Sequence, residues 1–172
     1  MSVKKIITEP NKILRRISRP VSKVGMREQS LMDDMLDTMY DANGIGLAAI
    51  QIGIPKRIIV MDISWSKGEK KPMYFVNPVI KTKDKEKSIY EEGCLSVPNQ
   101  FAEIERPSKC EVEYLNYKGK KKILKAEGLL ATCIQHEMDH LEGILFIDYL
   151  SKLKKNMIIK KLLKNRPDRI VV

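Results

Sequence analysis

The sequence predicts an α+β fold: antiparallel strands around a central helix that carries an H-E-x-x-H pattern, with an N-terminal helix and a basic C-terminal helix. Three observations predict it. Apolar residues recur at helical spacing in three separate stretches. β-branched and aromatic runs lie between the first two of them. A further stretch alternates and then doubles back at Lys118-Gly119.

The first helix is read in "REQSLMDDMLDTMYDAN". Leu31, Met35, Met39 and Ala42 fall on one face with Leu36 beside them, and the helix ends before Gly44. "KRIIVMDI" and "MYFVNPVI" read as strands, and "SWSKGEKK" as the loop between them. "YEEGCLSVPNQ" reads as an irregular, glycine-containing stretch. "CEVEYLNYKGKKKILKA" reads as a hairpin. "EGLLATCIQHEMDHLEG" is the central helix, with a glycine just past its end. A third helix is expected over about 151–165, stopping before Pro167. The strands are expected to be short. There is no internal repeat and no low-complexity segment, and residues 1–172 are expected to form one catalytic domain.

Apolar residues make up 43% of the chain and charged residues 31%, the balance of a soluble globular protein. The apolar runs fall well short of the roughly 20 residues a membrane span needs. "MSVKKIITEPNKILRR" has no apolar core segment, so no secretory signal is expected, nor an untrimmed transit peptide. Three widely spaced cysteines argue against a disulfide framework and for a reducing compartment. The expected location is the cytoplasm; an organelle or a virus-encoded origin is also compatible. Net charge is +10 but unevenly placed. Residues 151–172 hold eight Lys/Arg against one acid, and the first 150 hold 24 against 21. An ordinary core with a basic tail is not a general nucleic-acid binder, and no DNA partner is expected.

Both histidines of the chain lie in "QHEMDH". On a helix, His136 and His140 are one turn apart on one face, so two imidazoles can hold one metal ion. Glu137 can reach the water on that metal without being a ligand, and the metal lowers the pKa of that water so that the glutamate can take its proton. A catalytic metal needs a third protein ligand. The longer pattern H-E-x-x-H-x-x-G-x-x-H has its glycine, Gly143, but its last position is Phe146. No glutamate follows Glu142, and Asp148 and Asp168 are weak candidates. Cys133 is in line with the histidines on the same helix and reads as pocket wall. Cys110 reads as a small buried strand residue. Cys94 sits where a thiolate could swing towards a helix.

Three stretches taken together resemble the peptide deformylase family: "GIGLAAIQIG" at Gly44–Gly53, "EGCLS" at Glu92–Ser96 and "QHEMDHLEG" at Gln135–Gly143. The resemblance runs over nearly the whole chain. It implies a hydrolase that removes the formyl group from the N-terminal formyl-methionine of new polypeptides and releases formate. It implies Cys94, His136 and His140 as metal ligands, and Glu137 as general base and then acid while metal-bound hydroxide attacks the formyl carbon. Gln51, through its amide, and Leu95, through its backbone N–H, would form the oxyanion hole. The implied metal is Fe2+, with Zn2+, Ni2+ or Co2+ able to occupy the same site. Gly44, Ile45 and Gly46 would let an extended peptide pair alongside. Ile45, Tyr90, Leu129, Thr132 and Cys133 would line the methionine slot. Thr132, Tyr90 and Phe101 depart from what is usual at those positions, which bears on preference beyond the methionine. Arg106 is expected to meet Glu92 and steady the Cys94 segment.

For the basic tail, the stripe Leu150, Leu153, Met157, Ile158 and Leu162 is expected to dock on the core. The resemblance implies that the lysines around it meet the ribosome through RNA phosphates, against the plainer reading of a solvated cationic face. The alternative to a deformylase is an HExxH metallopeptidase, disfavoured by "EGCLS" and by the missing downstream ligand.

Overall fold

The computed structural model describes residues 2–165; the ligand candidate Asp168 and the helix stop Pro167 lie outside the described residues. Helix α1 spans Met26–Asp41, with the Glu28 carboxylate reaching back to accept the Gly25 N–H at 3.1 Å. Strand β1 is Gly46–Ala48, followed by a 3-10 turn at Ala49–Ile52. Strands β2 (Ile58–Met61) and β3 (Met73–Lys83) follow. Next come β4 (Lys87–Cys94), β5 (Val97–Pro107), β6 (Lys109–Leu115) and β7 (Lys121–Glu127). Helix α2 is Gly128–Leu141 and helix α3 Lys152–Lys164, capped by the Ser151 hydroxyl.

Five strands form an antiparallel sheet in the order β1-β2-β3-β6-β7, and β4 and β5 form a separate hairpin. The apolar run Ile58–Met61 has no polar alternation because both faces of the sheet are covered. Ile58, Val60 and Val76 pack with Met32, Met35 and Met39 of α1. Ile59, Met61 and Phe75 face the other way, against Ala131, Ile134 and Leu141 of α2. Successive side chains on opposite faces of a strand produce this two-sided core. The buried face of α1 includes Met32, while the expected Leu31 is only half-buried.

Helix α2 lies between the sheet and the β4–β5 hairpin, so nine of its residues are buried and little of its circumference is left polar by exposure. Gly143 ends it with φ 72°, and a Cβ there would collide with the Arg15 carbonyl. The hairpin expected at Lys118-Gly119 is β6–β7, with Gly119 at φ 78° and Asn116 accepting the Lys118 and Lys120 N–H groups.

Three expectations are corrected. The strands are not uniformly short: β3 and β5 have 11 residues each. "YEEGCLSVPNQ" is not irregular; it is the closed end of the β4–β5 hairpin. Its inward positions include the charged pair Glu92 and Arg106, which hides the apolar alternation. On α3, the docked face is Ile158, Ile159 and Leu162, with Leu150 before the helix, packed on Val97, Ile104, Leu145, Phe146 and Ile147. Leu153 and Met157 are 71% and 51% exposed, because the i, i+1, i+4 face that docks turns them outward.

Candidate metal centre

His136 and His140 are both buried on α2, with ring centroids 5.3 Å apart and planes at 70°. The third donor comes from the hairpin. Pairing slips between Gly93↔Phe101 and Cys94↔Val97, and this bulge turns Cys94 towards α2. Cys94 Sγ stands 3.4 Å from His140 Nε2. The ligand atoms of Cys94, His136 and His140 all lie within 4.8 Å of one another, the one such cluster among the described residues. Phe146, where the longer metalloprotease pattern would place a histidine, stacks on His136 at 6.1 Å. Asp148 is occupied by Arg15 and Lys155.

One thiolate and two imidazoles suit a divalent transition metal. Without a cation, burial and then the charge on His136 push His140 well below its ordinary value. Burial lowers His136 too, but Cys94 and Glu92 outweigh it and hold His136 well above its own. A bound cation would have to displace that second proton from His136. Glu137 supports the fit. Its Oε2 is buried with no hydrogen-bond partner among the described residues. Buried carboxylate oxygens are normally partnered, and a cation with its water would supply the missing contact. Without a cation, burial pushes the Glu137 carboxyl up to about 7, against the pull of His136.

A bond not anticipated from sequence orients His136: its Nδ1 lies 2.8 Å from Glu92 Oε1. Nδ1 then carries the proton and Nε2 is left to bind metal. The expected Arg106–Glu92 pair is present as a two-pronged contact, Nε to Oε2 at 2.7 Å and Nη2 to Oε1 at 3.0 Å. Burial raises the Glu92 carboxyl, but His136 and Arg106 outweigh it and bring it below the ordinary value.

Gln51 is held by its own turn. The Ala48 N–H donates to Gln51 Oε1 at 2.9 Å, which fixes the amide so that Nε2 faces Ser96 Oγ at 3.0 Å and Cys94 Sγ at 3.6 Å. The sequence does not announce Ser96 as a partner of Gln51, although "EGCLS" contains it. The N-terminal segment ties both motifs: Ile7 N–H donates to the Gln51 carbonyl at 2.7 Å and Glu9 N–H to the Ser96 carbonyl at 2.8 Å.

A cavity of about 510 Å³ opens beside the cluster. Gly44, Ile45, Gly46, Tyr90, Leu129, Thr132 and Cys133 all line it, together with Gln51, Leu95 and Glu137. The Cys133 thiol is raised well above its ordinary value, by burial and then by Glu137, which suits a neutral wall residue. Phe101 is 65% exposed at the rim and rests on Gly93, where a Cβ would meet its ring at 2.5 Å. β1 is an edge strand that pairs with β2, and its first residue Gly46, with Gly44 and Ile45 just before it, borders the cavity. The Gly44 carbonyl accepts from Trp65 Nε1 at 2.8 Å, a contact that nothing in "SWSKGEKK" announced.

The model of the polypeptide deformylase family matches residues 3–156. The chain belongs to that family. It is 75% identical to the peptide deformylase of Pelagibacter ubique over the full length of both chains. It is 53% identical to that of Rhizobium meliloti, over 95% of this chain and 94% of the relative. The crystal structure of Ehrlichia chaffeensis peptide deformylase in complex with actinonin superposes with a TM-score of 0.93 at 44% identity, covering 97% of this chain and 99% of that one. The deformylase fold and the Cys/His/His metal site thus coincide in one chain. No helix among the described residues is long and apolar enough to cross a membrane.

Proposed function

We propose that this chain is a peptide deformylase, hydrolysing the formyl group from formyl-methionyl polypeptides. The observation that carries the reading is the convergence of Cys94, His136 and His140 beside a buried, unpartnered Glu137 oxygen in an open cavity. Cys94, His136 and His140 would hold the cation; ferrous iron is the ion the family resemblance favours, and zinc, nickel or cobalt could occupy the same thiolate and imidazole set. When bound, the cation acidifies a water and polarises the formyl carbonyl.

The protein groups do the rest. Glu137 accepts a proton from the attacking water at Oε2. The Gln51 amide and the Leu95 N–H stabilise the charge that develops on the formyl oxygen. Glu137 then hands its proton to the departing amine, so formate and a free N-terminal amine leave. Gly46 at the start of the edge strand β1, with Gly44 and Ile45 leading into it, offers main-chain groups for the peptide backbone, which tolerates many sequences. Ile45, Tyr90, Leu129, Thr132 and Cys133 receive the methionine side chain. The whole chain acts as one catalytic unit in the cytoplasm. Lys152, Lys154, Lys160, Lys161 and Lys164 of α3 are proposed to meet ribosomal RNA, supported by their exposure around a docked helix.

Formate release from formyl-Met-Ala-Ser tests this, with anaerobically purified, iron- or nickel-loaded protein and Glu137→Ala beside it. Release that disappears in the variant is expected. Cleavage of an unformylated peptide instead would replace the deformylase reading with a metallopeptidase.

A further inference from the structure

The bond that orients His136 is the inner end of a longer chain of contacts. Glu92 takes His136 Nδ1 on one oxygen and the two-pronged Arg106 contact on both. The remaining arm of Arg106, Nη1, donates to Asp139 Oδ2 at 2.8 Å. That same oxygen accepts the Tyr149 hydroxyl at 2.7 Å, and the Tyr149 ring lies 4.9 Å from the guanidinium carbon. Burial falls off outward: the side chains of Glu92, Arg106 and Asp139 are 4%, 5% and 19% exposed, and Tyr149 is 51% exposed. Neither Asp139 nor Tyr149 lines the cavity beside the metal cluster; both line a groove bounded by β3 and β5. They have no direct route to the substrate.

We propose that Asp139 and Tyr149 are positioning residues for the metal centre, locking Arg106 against Glu92 and so holding His136 Nε2 on the cation. This rests on the reading of Cys94, His136 and His140 as ligands. The two-pronged contact fixes the guanidinium in the plane of the Glu92 carboxylate but does not by itself stop it tilting out of that plane. A second carboxylate at the other end and an aromatic face leave it one orientation. Two carboxylates against one guanidinium also leave a net negative charge behind His136, which makes its imidazole a stronger donor. His140 has no such support, since its Nδ1 has no hydrogen-bond partner among the described residues. His136 is therefore the imidazole whose orientation the surrounding side chains fix.

The test is a Co2+ titration of metal-free protein against a competing chelator, read by the visible absorption of the bound ion. Asp139→Asn is expected to bind about tenfold more weakly, in the range seen when outer partners of a ligand are removed. Tyr149→Phe, which deletes one hydroxyl from a half-exposed ring, is expected to lose a factor of about three. Both should shift the cobalt bands. Asp139→Asn added to Arg106→Gln should cause no further loss, because Asp139 acts through Arg106. Wild-type affinity and spectrum in both single variants would overturn the proposal, and so would independent, multiplying losses in the double variant. Should Arg106→Gln fail to fold, the two single variants decide it alone. Absence of cobalt binding by the unaltered chain would instead overturn the metal centre, and this proposal with it.

Discussion

Glu137 lies against the bare α-carbon of Gly46: a Cβ at that position would stand 2.6 Å from Glu137 Oε1 and 2.9 Å from Cδ. The first and third motifs meet at this point. Gly46 is at the edge of β1, and Glu137 is on α2, so any side chain there must displace either the strand or the carboxylate. Gly46→Ala is expected to lower deformylation by about 100-fold, the scale of a misplaced reacting group, while metal content stays near wild type. Formate release and metal analysis on the same sample check this; an unchanged rate would mean that Glu137 has freedom to move aside.

Gln51→Ala should reduce kcat for formyl-Met-Ala-Ser by about 100-fold or more, with little change in KM, as for loss of one oxyanion donor. The variant also frees the Ala48 N–H and the Ser96 hydroxyl, which Gln51 now engages. Steady-state kinetics separate the two parameters. A rise in KM alone would make Gln51 a substrate-binding residue.

Asp62 organises the loop whose Trp65 holds Gly44. It accepts the Tyr40 hydroxyl at 2.7 Å and the backbone N–H groups of Ser64, Trp65 and Lys71 at 2.9, 3.1 and 2.9 Å. Burial raises its carboxyl, but these donors bring it below its ordinary value. A folded-state pKa below the unfolded one, which is about 3.9, gives stability that is complete above that value and lost as pH falls through the folded one. Asp62→Asn is expected to cost about 1–3 kcal/mol at pH 7, and to flatten the loss of stability as pH falls below about 4. Urea unfolding at several pH values measures both effects. Parallel pH profiles for the two proteins would contradict it.

Lys160, Lys161 and Lys164 are exposed on α3, away from the docked Ile158 and Leu162. Their replacement by glutamate should abolish salt-sensitive pelleting with ribosomes and leave formate release from a free peptide unchanged. Wild-type recovery that does not fall with salt would argue for a merely solvated face.

The sequence made the local geometry legible. The four-residue spacing of His136 and His140, the apolar face of α1, the β6–β7 turn and the continuous run of β2 each depend on neighbours a few residues away. Cys94, Gln51 and the cavity residues were named only because three motifs together resemble a family; spacing alone left the third ligand open. The β4–β5 hairpin is not legible in the sequence for a physical reason. Its inward positions hold Glu92 and Arg106, whose charges are satisfied by each other and by His136 and Asp139. A one-dimensional pattern counts them as exposed.

What the sequence determined by itself, then, is a pair of imidazoles one helical turn apart with a carboxylate between them, on a helix apolar enough to be buried. Which thiol meets that pair depends on how the β4–β5 hairpin packs on α2. Tertiary packing also makes Glu92 orient His136, brings Ser96 to join Ala48 in clamping Gln51, and sets Gly46 where it makes room for Glu137. Each of these except the Ala48 bond joins elements far apart in the chain, and its geometry is set by strand register and sheet packing, which no local spacing encodes.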